Sequence, residues 1–584
     1  MPVDGASFLA HPIELPCGQV LPNRIMKSAL SEGLGTDDYG PDKRLHSLYT
    51  RWGRGGYGLV ITGNIMVDRN HLGEPGNVVI EDDRHLDELS RWAKSCQDGG
   101  APIWVQINHP GRQANPIATG TRPVAPSAIR PNIPSVGTPR ALADTEILAI
   151  IDRFAQAAVV TETAGFNGIQ VHAAHGYLVS QFLSPLSNDR DDNWGGSPTA
   201  RTRFLADIID AIRENVSPAF GVGVKVNSAD FMRGGFSEAD SRHVIERLVE
   251  RSIDLIEISG GSYESPAMMG RPRTVAASTR MREAYFLDYA AAVRDIAGGT
   301  PIAVTGGFRT RSAMEAAIAG GLCNIVGIGR PAAINPESAS QILAHDIDQL
   351  TSRPIKIAPF STSKIPLAKS LEGALDLQWH TDQLHRLGAG KDPDPARPEI
   401  ATAVSMIRRN GIDAIIRKRG NSSARSPEAA RRKFKIERIV GRYLANPVVR
   451  LLNSVGLRTQ LAAELKTVGR RSGIVRRVPV AASFDSDGAW VISQHGRRSG
   501  WAQNIAANSA VRIWYRDHWR TGIAELREDD DPVTRAATFS TSRMLTPLVV
   551  AGFRAAQSDP ISVRITFTSV IDLRATHRSS SDLL

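Results

Sequence analysis

Eight short apolar runs recur between Asn23 and Gly329, each closed by glycine, proline or polar residues. They are NRIMKSA (23–29), YGLVITGN (57–64), PIWVQINH (102–109), NGIQVHA (167–173), GVGVKVN (221–227), DLIEISG (254–260), PIAVTGG (301–307) and CNIVGIG (323–329). Runs that are apolar throughout, rather than alternating, belong to parallel strands buried on both faces. Between them, segments such as TEILAIIDRFAQAAVVTETAG (145–165) carry apolar residues at the helical spacing. Strands alternating with helices in this way predict an α/β TIM (β/α)8 barrel, with an open doubly wound sheet as the alternative. The two differ in where polar residues gather: at the C-terminal ends of all strands in a barrel, at one switch point in an open sheet. Ser28, Ser31, Asn64, Gln106, His109, His172, His175, Lys225, Gly306, Gly307, Gly329 and Arg330 end nearly every run. The pattern favours the barrel.

The periodicity changes further on. From about Thr351 to Pro398 the chain is polar and reads as loops, and a helical stretch follows. Within RKRGNSSARSPEAARRKFK (417–435), residues 417–432 predict a linker. KIERIVGRYLANPVVRLLNSVGL (435–457) is amphipathic and basic. VPVAASFDSDGAWVISQ (478–494) and AVRIWYRDHWRTGIAELRE (510–528) predict strands, the first with a turn at Asp487–Gly488. The expected organisation is a first domain over 1–416 and a smaller β-rich domain over 433–584.

Composition fits this division. A chain of 584 residues exceeds what one hydrophobic core usually serves. It is 42% hydrophobic and 22% charged, with no apolar run long enough to cross a bilayer and no secretory signal pattern. A cytoplasmic protein is expected. Its three cysteines, Cys17, Cys96 and Cys323, lie far apart and offer no zinc-ribbon or iron–sulfur spacing. The net charge of +10 is local: Ser405–Val480 holds 19 Lys/Arg against 4 Asp/Glu, or +15, which leaves −5 for the rest. An anionic partner for that one region is implied, rather than a general affinity for nucleic acid.

Three kinds of chemistry compete at the strand ends. No G-x-G-x-x-G opens a helix after a strand, and GRGGYG (53–58) precedes one, as a tight turn would. His172-x-x-His175 has no third metal ligand at a telling spacing. VTGGF and GIGRP, at the seventh and eighth strand ends, place glycine N–H groups and Arg330 where barrels commonly hold phosphate.

The stretches NRIMKSALSE, VQINHPGRQA, AGFNGIQVHAAHGYLVSQFLSPLSNDRDDNWGGS, GVGVKVNSADF, VTGGF and VGIGRP resemble the Old Yellow Enzyme family of FMN-dependent ene-reductases, in order, over residues 1 to about 400. The resemblance implies that Ser28, Ala29 and Ser31 line the flavin edge and that Asn64 and Gln106 read its pyrimidine side. Lys225 would lie near N1, where many relatives carry Arg, keeping the charge without the bidentate fork. Gly306, Gly307, Gly329 and Arg330 would hold the phosphate. His172 and His175 match the pair that hydrogen-bonds the substrate oxygen, and Tyr177 matches the proton donor. The implied substrate is a small activated alkene, with NAD(P)H as a candidate donor.

LKTVGRRSGIVRRVPV (465–480) and GWAQNIAANSAVRIWY (500–515) resemble the deazaflavin-dependent nitroreductase family, which are split β-barrels. By that resemblance Thr467, Arg470, Arg471, Ser472, Arg476, Arg477, Trp501 and Asn504 would hold deazaflavin (coenzyme F-420), whose phosphate and oligoglutamate tail suit the excess of cations. Fusion of the two domains raises effective concentration, so the second could feed hydride to the first. The alternative is an ene-reductase with a non-catalytic basic module docking on a membrane or an acidic partner.

Overall fold

The computed structural model describes residues 7–115, 119–131, 137–260, 286–353, 366–399, 401–402, 405, 463–493, 496–515, 518–539 and 560–568. Contacts divide the chain into two compact units, with the division falling between Asn410 and Asn421. The expected linker and the amphipathic stretch 435–457 lie outside the described residues.

In the first unit eight parallel strands close on themselves. They are β1 (Ile25–Lys27), β2 (Leu59–Met66), β3 (Ile103–Asn108), β4 (Gly168–Ala173), β5 (Gly221–Asn227), β6 (Leu255–Ser259), β7 (Ile302–Thr305) and β8 (Ile325–Ile328). Each pairs with the next, and β8 pairs back to β1 through Val326↔Ile25. The predicted barrel is therefore formed, with every strand inside its expected run or within two residues of it.

Helices cover the outside. Among them are α1 (Lys43–Gly53), α2 (Leu86–Gln97), α3 (Asp144–Thr163), α4 (Leu178–Leu183), α5 (Pro198–Asn215), α6 (Glu238–Val249) and α7 (Arg311–Ala319). Their starts are set by local chemistry. Asp42 accepts the Arg44 N–H ahead of α1, and Ser197 accepts the Ala200 N–H ahead of α5, whose first residue is Pro198. Ser237 and Asp240 form a reciprocal capping box on α6. GRGGYG is the tight turn expected, with Gly56 at φ +80°.

Successive strand residues face opposite ways, which separates two cores. Outward positions such as Ile169, Val171, Val222, Val224, Ile256 and Ile258 pack against the helices. Inward, Met26, Leu59, Ile61, Trp104, Leu255, Ala303 and Ile325 fill the bottom of the barrel with Leu15 and Leu21. Those two leucines lie on the hairpin Ile13–Glu14/Val20–Leu21. Trp104 needs glycine opposite it: a Cβ at Gly221 would lie 2.1 Å from its ring, and one at Gly168 2.7 Å. Above this floor the inward residues turn polar: Gln106, Gln170, Lys225 and Glu257, then Asn108, His172, Asn227 and Ser259.

One expectation fails. The stretch read as loops contains α8 (Pro366–Gly388). Its buried face mixes Trp379, Leu384 and Leu387 with His380, Asp382 and Gln383, which blurs the apolar period. Partners satisfy those polar groups: Gln383 exchanges hydrogen bonds with the Asp394 backbone at 3.2 and 2.7 Å, and Asp382 pairs with Arg397.

In the second unit seven antiparallel strands form one sheet: β9 (Ala463–Val468), β10 (Val475–Val480), β11 (Ala482–Phe484), β12 (Gly488–Ser493), β13 (Ala510–Tyr515), β14 (His518–Arg527) and β15 (Ile561–Phe567). Their order is β10-β9-β13-β14-β15-β12-β11. The two edges, β10 and β11, are joined by Ala481 alone, so the sheet must curl until they approach: a split barrel. Leu465, Val491, Val511, Ile513, Val563 and Ile565 point into its core, with Ile505 from α9 (Gly500–Ala507). The turn at Asp487–Gly488 is present, closed by Asp485 N–H donating to Gly488 O at 3.1 Å.

Candidate active site

Strand β4 delivers His172 at the barrel mouth, and the chain then turns sharply. His175 adopts φ +61° and Gly176 φ +75°, a left-handed bend that a β-branched residue would resist. His175 N–H donates to Asn227 Oδ1 at 3.3 Å, and its Nε2 lies 2.9 Å from Ser259 Oγ. The bend brings both imidazoles and Tyr177 together. Ring centroids of His172 and His175 are 5.0 Å apart, and those of His172 and Tyr177 4.8 Å. Asn64 Nδ2 donates to Tyr177 Oη at 3.3 Å.

The protonation of the pair follows from its surroundings. Ala174 N–H donates to His172 Nδ1 at 3.2 Å, so the proton of the neutral ring sits on Nε2. Burial, followed by the neighbouring His175 and Lys225, pushes His172 well below its ordinary 6.5. Burial and then Lys225 push His175 down to about 3. Both rings are neutral at physiological pH, and a neutral imidazole keeps one N–H to offer.

Below them lies a polar layer, only part of which is expected from the sequence. Gln106 Nε2 donates to Gln170 Oε1 at 2.6 Å, Gln170 Nε2 donates to Glu257 Oε2 at 2.8 Å, and Glu257 Oε1 pairs with Lys225 Nζ at 2.9 Å. Gln106 and Lys225 are among the predicted residues; Gln170 and Glu257 are not. The available signal is a polar residue in the middle of an apolar strand, at an inward position two before His172 or Ser259.

The remaining predicted positions are spread around the rim. Ser28 Oγ bonds Thr305 Oγ1 at 2.7 Å, and Ala29 packs against the interior core. Ser31 Oγ donates to Glu74, whose carboxyl pKa is raised by burial. Gly306 and Gly307 have φ +120° and +95°, open to glycine and costly to other residues. Gly329 precedes Arg330, which is half exposed and pairs with Asp376 at 2.8 Å.

Asp68, His71 and His109 bring potential metal-ligand atoms within 4.8 Å of one another. His71 Nδ1 lies 2.7 Å from Asp68 Oδ2. His109 Nδ1, however, accepts the Gly111 N–H at 3.1 Å, which places the ring proton on Nε2, the atom facing the group. An Nε2–H cannot ligate, so the arrangement reads as a histidine–aspartate cluster.

In the second unit Asn504, on α9, ties the basic loop to the sheet. Its Nδ2 donates to Thr467 Oγ1 at 3.2 Å, and its Oδ1 accepts the Arg470 N–H at 3.2 Å. Ser472 lies in the following turn, with Gly473 at φ +65°. Trp501 packs on the core. Arg470, Arg471, Arg476 and Arg477 are exposed. Arg477 reaches Glu464 only at 3.9 Å, and among the described residues the other three show no ion pair.

Residues 9–349 match the family profile described as NADH:flavin oxidoreductase / NADH oxidase. The chain belongs to that family. Residues 430–564 match the profile of quinone reductases that depend on the reduced deazaflavin coenzyme, so this flavin oxidoreductase is fused to a deazaflavin-dependent split-barrel domain. It is 42% identical over 349 residues to an NADH-dependent flavin oxidoreductase of Hypocrea jecorina, covering 56% of this chain and 86% of that one. It is 35% identical over 430 residues to an NADH-dependent flavin oxidoreductase of Aspergillus parasiticus, covering 70% and 93%. In fold it resembles the Old Yellow Enzyme homologue of Zymomonas mobilis, with TM-score 0.52 and 22% identity over 62% of this chain and 98% of that one.

Membership brings FMN to the barrel and deazaflavin to the second domain. The barrel residues fit FMN. The buried Asn64 Oδ1 has no hydrogen-bond partner among the described residues, and amides, one ammonium and the left-handed glycines are the groups a pyrimidine edge and a phosphate require. Exposed guanidiniums beside Thr467 and Asn504 likewise fit a phosphorylated coenzyme. No helix among the described residues is long and apolar enough to cross a membrane.

Proposed function

We propose that the barrel is an ene-reductase acting on α,β-unsaturated carbonyl or nitro compounds with a reduced nicotinamide as donor. The observation that carries this reading is the neutral imidazole pair with Tyr177 against it, at ring separations of 5.0 and 4.8 Å. When bound, FMN supplies hydride to the β-carbon of the alkene. His172, through Nε2–H, and His175 donate hydrogen bonds to the oxygen on which negative charge grows, as in an oxyanion hole. Their burial keeps water from competing for that charge. The Tyr177 hydroxyl, held by Asn64 at 3.3 Å, gives a proton to the α-carbon.

In this reading Ser28, Ala29 and Ser31 line the cofactor ring, and Asn64, Gln106 and Lys225 meet its pyrimidine edge. Gly306, Gly307, Gly329 and Arg330 hold its phosphate. Thr467, Arg470, Arg471, Ser472, Arg476, Arg477, Trp501 and Asn504 hold the deazaflavin in a second domain over 433–584, joined by a linker at 417–432 to a first domain over 1–416. The second domain oxidises reduced deazaflavin and feeds hydride to the barrel.

Two experiments test these statements. With NADH carrying deuterium at both C4 positions and 2-cyclohexen-1-one as substrate, the label is expected on the β-carbon of cyclohexanone. NADH oxidation that leaves the enone intact would overturn the alkene assignment. Anaerobic mixing of FMN-loaded protein with reduced deazaflavin is expected to bleach the FMN absorbance. If it stays oxidised, direct feeding is wrong.

A further inference from the structure

Glu257 belongs to none of the groups assigned above, yet it links Lys225 to the pair of amides Gln170 and Gln106 in a polar chain that runs across the barrel interior. It is fully buried on β6, register partner of Lys225 on β5. One carboxylate oxygen pairs with Lys225 Nζ at 2.9 Å, and the other accepts from Gln170 Nε2 at 2.8 Å. Gln170 in turn accepts from Gln106 Nε2 at 2.6 Å.

The direction of that chain follows from donor chemistry. An ammonium only donates and a carboxylate only accepts, whereas an amide can turn either end toward a neighbour. Facing a carboxylate, Gln170 must present its NH2 to Glu257 and its carbonyl to Gln106. Gln106 must then spend one N–H on Gln170, keeping its carbonyl oxygen and its second N–H for what lies above. A single carboxylate thereby orients two buried amides. The same group sets a negative charge against Lys225, the cation of this layer. A buried charge acts at low effective dielectric, so its neutralisation is felt strongly by anything stacked overhead.

We propose that Glu257 is the positioning residue that fixes the hydrogen-bonding polarity of Gln106 and offsets the charge of Lys225, holding the flavin at a lower potential than an unpaired lysine would give. This rests on the reading that Gln106 and Lys225 face the pyrimidine edge of FMN. Positive charge near that edge favours the reduced flavin and the addition of sulfite to the oxidised ring, so both report the balance directly.

The test uses the FMN-loaded full chain, with its two-electron midpoint potential and sulfite dissociation constant measured for four forms. Glu257→Gln leaves Lys225 unpaired, Lys225→Gln leaves Glu257 unpaired, and the double substitution restores neutrality. The expected order of potential is Glu257→Gln highest, wild type and double variant together, Lys225→Gln lowest. Sulfite should bind about ten-fold tighter to Glu257→Gln, which corresponds to about 30 mV for a two-electron couple. Should Glu257→Gln fail to fold, the neutral double variant must still lie above Lys225→Gln in potential. A merely structural role would weaken FMN retention without producing this order. If wild type takes up FMN and the order is absent or reversed, the role of Glu257 is wrong. If wild type takes up no FMN, the underlying reading fails instead.

Discussion

The barrel mouth and the arginine loop of the second domain both gather polar side chains, but they are prepared for their ligands in opposite ways. In the barrel His172, Gln106, Gln170, Lys225 and Glu257 are buried, and each is held by a named partner. In the second domain Arg470, Arg471, Arg476 and Arg477 stand in solvent, and Asn504 links the loop's backbone to Thr467. A buried site is built during folding, and its geometry is ready before anything binds. An exposed cluster keeps its charge in reserve and must order its side chains on binding, at an entropic cost. The first arrangement suits chemistry on a small reacting group. The second suits capture of a large, flexible anion.

This contrast can be broken by substitutions on either side. The largest effect is expected at the floor supporting the buried site. Trp104→Ala removes the ring that fills the space opened by Gly168 and Gly221, and should cost about 3–5 kcal/mol of barrel stability in denaturant unfolding. A cost below about 1 kcal/mol would mean the floor is not tightly packed. Next comes Gly307→Val, which forces a β-branched residue into φ +95°. FMN affinity should fall on the order of ten-fold or more, read by ultrafiltration, because the strain falls on the turn proposed to hold the phosphate.

A smaller effect is expected from pH. The folded-state pKa values of His172, His175 and His109 lie below the unfolded value of 6.5, the latter two at about 3. The unfolded chain therefore binds more protons below pH 6.5, and stability is lost as pH falls from about 6.5 toward 3. The melting temperature should be level between about pH 7 and 8 and decline below about 6.5, with a shallower decline in His175→Asn. The smallest effects belong to the arginine loop. Single changes such as Arg471→Gln or Arg476→Gln should weaken deazaflavin binding only about two- to five-fold, and less at high salt, as exposed charges do. A hundred-fold loss from one of them would show that the loop is prebuilt after all.

Much of this is legible in the chain. The strands are, because parallel strands buried on both faces have an unmistakable apolar run. So is the cluster at His172, His175 and Tyr177, since chemistry at a strand's end interrupts that run visibly. Glu257 and Gln170 are not. The runs read as uniformly apolar, although inward and outward residues alternate and, in β3 to β6, it is the inward ones that become polar toward the mouth. Their partners also lie far away in sequence, Gln106 being 64 residues from Gln170 and Gln170 87 from Glu257, so nothing local announces the chain. Lys27 is hidden similarly. It is fully buried on β1 with its ammonium 2.8 Å from Ile61 O and 3.9 Å from the Trp52 ring centroid, a cation accommodated by residues no spacing rule connects to it.

The central claim is that two buried, neutral imidazoles take up the charge that develops on the substrate oxygen. The most direct measurement is anaerobic stopped-flow reoxidation of the pre-reduced protein by 2-cyclohexen-1-one, comparing wild type with the His172→Ala/His175→Ala variant at matched FMN content. The variant is expected to be slower by about two to three orders of magnitude. Equal rates in the two proteins would contradict it.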